Sequence, residues 1–113
     1  MMNSPDAVTA LAALAHGHRL AAFRHLVQAG PAGLAASRIA EALGISAPAL
    51  SFHLKELAHA GLVVSRQDGR FVIYAAQFET MNELVGFLTE NCCGGQSCLS
   101  NDRVVCQLPT TGL

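Results

Sequence analysis

Four cysteines lie at positions 92, 93, 98 and 106, and the first 91 residues contain none. Small secreted domains spread their cysteines through the chain to staple it. Thiols gathered in one stretch point instead to a ligand or redox site. Cys92 and Cys93 are adjacent, so both sulfurs can be directed at one ion. Gly94-Gly95 then lets the backbone fold back, which makes Cys98 available as a third thiolate. Thiolate-only sets select soft ions over magnesium or calcium. Trivalent arsenic takes three sulfurs in a trigonal pyramid, its lone pair filling the remaining direction, so Cys92, Cys93 and Cys98 complete such a site. Zinc prefers a closed tetrahedron of four ligands. Cys106 is the spare thiol, but nothing in the sequence fixes its position. Clustered thiols also oxidise readily, so a disulfide redox switch stands as the alternative use of the same residues. The five histidines all lie at or before position 59 and read as surface or packing residues.

A second group of residues suits nucleic acid. Ser46, Ala47, Ser51, His53 and Lys55 lie on or near the outer face of one predicted helix. Ser51 and His53 offer hydrogen bonds to base edges or phosphates, and Lys55 offers a charge to a phosphate. Arg66 and Arg70 flank a predicted hairpin tip, within reach of backbone or minor groove.

These residues need elements to hold them. Pro5-Asp6 opens a first helix, with Val8, Leu11, Leu14 and Ala15 on one face. Gly17 interrupts, and a second helix is predicted over His18–Gln28, with Leu20, Phe23 and Leu26-Val27 as its stripe. Gly30-Pro31-Ala32-Gly33 is a break. A third helix fits Ala35–Leu43, closed by Gly44, where a positive φ costs little. Ser46 caps a fourth helix, Pro48 falls in its first turn, and Leu50, Leu54 and Leu57 form its buried stripe. Leu62-Val63-Val64 and Phe71-Val72-Ile73-Tyr74 read as strands about an Asp68-Gly69 turn. A fifth helix fits Gln77–Glu90, with Phe78, Met81, Val85 and Leu88 on one face. Two helices joined by a Gly turn and followed by a hairpin make a winged helix-turn-helix. The fold class is therefore mainly α (α+β): five helices with a two-stranded β-hairpin wing.

The 113 residues allow one domain, and 51% hydrophobic against 13% charged residues support a packed core. The division expected is a folded unit over 1–91 and a flexible cysteine-containing tail over 92–113. A net charge of −1 argues against a basic coat for nucleic acid but leaves room for a local basic surface. No stretch is long and apolar enough to span a membrane, and Asp6 without a preceding Lys or Arg makes a poor secretory signal. The expected location is the cytoplasm. No Gly-rich cofactor loop or phosphate loop is present, so an enzyme is not expected, and no cofactor is required.

The stretch Ser51-Phe52-His53-Leu54-Lys55-Glu56-Leu57, followed by Ala60-Gly61-Leu62-Val63, resembles the recognition helix and wing entry of the ArsR family. Leu14-Ala15-His16-Gly17-His18-Arg19-Leu20 resembles that family's entry into its second helix. The similarity covers roughly residues 8 to 90. It implies a small homodimeric repressor that binds double-stranded operator DNA and senses metals or metalloids, with the first and last helices forming the dimer interface. Some members bind arsenite through a vicinal Cys pair plus a nearby third Cys after the last helix, and this tail is similar to theirs. The implied inducer is As(III), with antimonite and methylarsenite as close variants. Other family sites lack their ligands here. Leu34–Ala40 contains no Cys, and the last helix has Glu79, Glu83 and Glu90 but no His. The family often carries Gln at the position of Ala47 and Arg at that of Phe52.

Overall fold

The computed structural model describes residues 2–95. Five α-helices and three short strands run in the order α1 (Ser4–Leu14), α2 (Gly17–Ala29), β1 (Leu34–Ala35), α3 (Ala36–Leu43), α4 (Ala47–His59), β2 (Val63–Asp68), β3 (Phe71–Ala76) and α5 (Phe78–Leu88). Cys92–Gly95 forms a short 3-10 turn beyond α5.

Local signals explain most of the boundaries. The Asn3 side chain accepts from the Asp6 N–H at 2.9 Å and starts α1. Gly17 does not break α2 but begins it, because His16 occupies the cap and its Nδ1 accepts from the His18 N–H at 3.2 Å. Gly44 ends α3 in the left-handed conformation at φ 68, and Ser46 Oγ accepts from the Ala49 N–H at 3.2 Å to start α4. One residue and two caps thus set the angle between the paired helices.

The wing differs from the expected one in two ways. Its sheet has three strands, in the order β1-β3-β2, all antiparallel. Leu34 pairs with Tyr74 and Ala35 with Ile73. A two-residue strand is too short to show alternation, and its pairing depends on Gly33. At φ +73 and against the Tyr74 backbone, Gly33 leaves no room for a Cβ, which would run into the Tyr74 carbonyl oxygen. The hairpin loop is Gly69-Arg70 rather than Asp68-Gly69, since Asp68 pairs with Phe71. Gly69 has φ +63 and Arg70 has no positive φ, which is the pattern with Gly at the first central position.

The core draws on every helix. Ala7 and Ala10 of α1, Ala22, Phe23 and Leu26 of α2, and Ile39 and Ala40 of α3 are buried. They meet Leu50, Leu54 and Leu57 of α4, Leu62 and Val63 at the wing entry, and Leu84 of α5. Full burial of each leucine contributes about 1.5–3 kcal/mol.

Two expected faces are rotated. In α1 the inward residues are Ala7 and Ala10, whereas Val8 and Leu11 are exposed. In α5 Leu84 is buried and Phe78, Met81 and Phe87 pack against the core, whereas Val85 and Leu88 are exposed. Small alanines let α1 lie close to the body, so its larger side chains face away. Among the described residues no helix is long and apolar enough to cross a membrane.

Candidate nucleic-acid interface

The recognition helix α4 is anchored on one side and open on the other. Leu50, His53, Leu54 and Leu57 follow the i, i+3, i+4, i+7 rule and are buried. Ser46, Ala47, Pro48, Ser51, Phe52 and Lys55 are exposed. A shallow cavity of about 230 Å³ lies between the start of α4, α3 and the wing, lined by Ser37, Ala47, Ser51, Val72 and Tyr74 among others. The two serine hydroxyls line the same cleft as apolar Val72 and Ala47, a mixture suited to polar base edges beside methyl groups.

Six of the seven proposed contact residues are exposed, and only His53 is not. Ser46, Ala47, Ser51 and Lys55 are exposed on α4 or its cap, and Arg70 is exposed in the hairpin loop. The Ser46 hydroxyl is committed to its capping bond as acceptor. Arg66 is exposed, but it does not stand at the tip. Its Nη2 donates to the Ala32 carbonyl at 2.9 Å and ties β2 to the loop before β1.

His53 requires correction. Only 8% of its surface is accessible, so it does not lie on the outer face of α4. It turns toward the start of α2, with ring centroids 4.5 Å from His16 and 5.6 Å from His18. Its Nδ1 is buried without a hydrogen-bond partner among the described residues. Burial, then the neighbouring His16, Arg19 and His18, hold the imidazole pKa below its ordinary value, which favours the neutral form. In the sequence His53 lies three residues after Leu50 and four before Leu57, at the edge of the apolar stripe, a spacing compatible with either side. Phe52, which exposes 57% of its surface, takes the outward place beside it. Its ring meets His53 edge-on at 5.6 Å. Ser37 is the residue of the cleft that sequence reasoning missed, because α3 carries no feature that aims it there.

At the far end of α5, Cys92 is half-buried and Cys93 exposed. Their sulfurs are 3.6 Å apart. Asn91 and Cys93 adopt positive φ values of 58 and 57, which curl the chain tightly after the helix. Cys98 and Cys106 lie outside the described residues.

Residues 14–66 match a family model described as a helix-turn-helix domain. An ArsR-like transcriptional regulator from Rhodococcus sp. RHA1 is 31% identical, covers 74% of this chain and 76% of its own, and superposes with a TM-score of 0.65. This chain belongs to the ArsR-like family of transcriptional regulators. Further relatives agree with the assignment of this ArsR-like regulator. The HTH-type transcriptional regulator YgaV of Escherichia coli is 29% identical over 91 residues, 80% of this chain and 90% of its own. A structure described as a possible transcriptional regulator for arsenical resistance is 28% identical, with 69% and 78% of the two chains covered and a TM-score of 0.61. The homodimeric winged helix-turn-helix domain of Mb0332 from Mycobacterium bovis is 24% identical over 81% of this chain and 85% of its own, TM-score 0.63, and shares the fold. The protein is a DNA-binding transcriptional regulator, as the relatives it matches are.

Proposed function

We propose that this ArsR-like regulator is a homodimeric repressor that trivalent arsenic releases from its operator. In this reading α4 enters the major groove with Ala47, Ser51 and Phe52 toward the bases, and Lys55 and Arg70 serve phosphates. Cys92, Cys93 and Cys98 hold the metalloid. The observation that carries the reading is the vicinal thiol pair, its sulfurs 3.6 Å apart just past α5. Even zinc, with sulfur bonds of about 2.3 Å, spans sulfurs about 3.8 Å apart in a tetrahedron, so one soft ion can touch both. The relative described as a possible regulator for arsenical resistance supports the same ligand class.

The proposed route from thiols to DNA runs through the dimer. Val85 and Leu88 of α5 and Val8 and Leu11 of α1 are apolar and exposed on two helices that pack together. A second copy would cover them, and the Mb0332 domain, which shares the fold, is described as homodimeric. The thiols begin four residues after Leu88. Closing a ring there shifts an interface helix, and with it the spacing of two recognition helices. A coupling of about 1–3 kcal/mol weakens DNA binding roughly 5–150-fold.

Fluorescence anisotropy on selected DNA tests this, with the reduced chain titrated by arsenite, and by zinc and peroxide in parallel. Equimolar arsenite should release the DNA, while Cys92→Ser, Cys93→Ser and Cys98→Ser should bind DNA normally and ignore arsenite. Antimonite and methylarsenite belong in the same titration. The contact between adjacent sulfurs also favours a second reading, a redox-responsive repressor. Release by peroxide and not by arsenite would select it.

A further inference from the structure

Three histidines from distant parts of the chain meet where α2 begins. His16 caps α2, His18 lies in its first turn, and His53 reaches them from α4. One ring nitrogen of each lies within 4.8 Å of one from each of the others. We propose that His16, His18 and His53 form a binding site for a divalent transition-metal ion of borderline softness, zinc being the type case, separate from the thiols.

The ring chemistry is arranged for ligation. His16 uses Nδ1 to accept from the His18 N–H, which leaves Nε2 for an ion. His53 is more than nine-tenths buried and has an unpartnered ring nitrogen, a costly arrangement that an ion or its bound water would relieve.

The donor set chooses the ion. Three imidazoles suit zinc, nickel or copper, whereas magnesium and calcium want oxygen. With bonds of about 2.0–2.1 Å, a tetrahedral ion needs nitrogens about 3.3–3.4 Å apart. His16 and His18 are exposed, so their side chains can close that gap. Water would take the remaining position. The Arg19 charge lies nearby and opposes a cation, which makes the affinity moderate rather than extreme. An ion held here would clamp the start of α2 to the recognition helix. Soft metalloid on sulfur and borderline metal on nitrogen would then act through different residues of the same chain.

Cobalt(II) provides the test. The full chain with Cys92, Cys93, Cys98 and Cys106 all replaced by Ser should bind one cobalt. Its visible spectrum should show nitrogen and oxygen ligation without a sulfur charge-transfer band. His16→Asn keeps the helix cap and removes the imidazole. It and His18→Gln should each weaken binding by at least about tenfold, the low end of what losing even an outer-shell partner costs. His59→Gln should leave binding unchanged. In the unmodified chain, zinc should shift the ring resonances of His16, His18 and His53 and spare those of His25 and His59. No cobalt binding by the Cys-free chain together with no selective zinc shifts, or binding indifferent to His16→Asn and His18→Gln, would overturn the site.

Discussion

Helices α4 and α5 are similar in length and both carry apolar residues on more than one side, yet they end differently. Helix α4 buries Leu50, Leu54 and Leu57 almost completely within its own chain. Helix α5 buries Leu84 and leaves Leu88 58% exposed. The first has four elements around it, α1, α2, α3 and β2. The second lies at the edge and touches chiefly α1. Scattered exposed leucines are ordinary, but Val8, Leu11, Val85 and Leu88 expose large apolar side chains on two helices that pack together. One helix is finished by the fold. The other is finished, in the proposed assembly, by a second copy.

The comparison breaks most strongly at α4. Leu54→Ala removes a fully buried side chain where collapse is restricted, and should cost about 2–5 kcal/mol in urea unfolding. A loss below 1 kcal/mol would mean that α4 is less anchored than its burial indicates. At α5 the opposite pattern is expected. Leu88→Glu should leave the unfolding of a single chain within about 0.5 kcal/mol of the parent, as surface changes do. It should nevertheless weaken self-association by about 2 kcal/mol, roughly 30-fold, as measured by sedimentation equilibrium. An unaltered dimer would move the interface elsewhere. The smallest effect sharpens the α4 side. Ser46→Ala removes the cap bond to Ala49 and should cost about 1 kcal/mol, with the loss confined to the first turn of α4 in hydrogen exchange.

Much of this is legible in the sequence alone. Ser46 as cap, Gly44 as stop and the Leu50–Leu57 stripe all operate within one or two helical turns, where sequence neighbours are also neighbours in space. The resemblance carried by Ser51–Leu57 and Leu14–Leu20 led to the family that the Rhodococcus structure shows. The thiol pair was legible for the same local reason, since adjacency alone brings two sulfurs together.

What stayed hidden depends on partners far away in the chain. Position 53 is a polar residue in an apolar stripe, and spacing alone allows either side of its edge. The contact with α2, 35 residues earlier, decided that it faces inward and meets His16 and His18. Strand β1 exists because β3 supplies its hydrogen bonds, with Leu34 paired to Tyr74 and Ala35 to Ile73.

The sequence by itself therefore determined the number of helices, the Gly44 stop, the Ser46 cap and the presence of a hairpin, because those follow from local backbone preferences and periodicity, while the family rested on the resemblance of the Ser51–Leu57 and Leu14–Leu20 motifs. The tertiary structure decided the rotation of each helix about its own axis. Successive side chains on a helix differ by about 100°, so a choice between neighbouring residues, Ala7 or Val8, Leu84 or Val85, hinges on which long-range neighbour packs against them. That same long-range packing brought three histidines together and left one apolar edge uncovered.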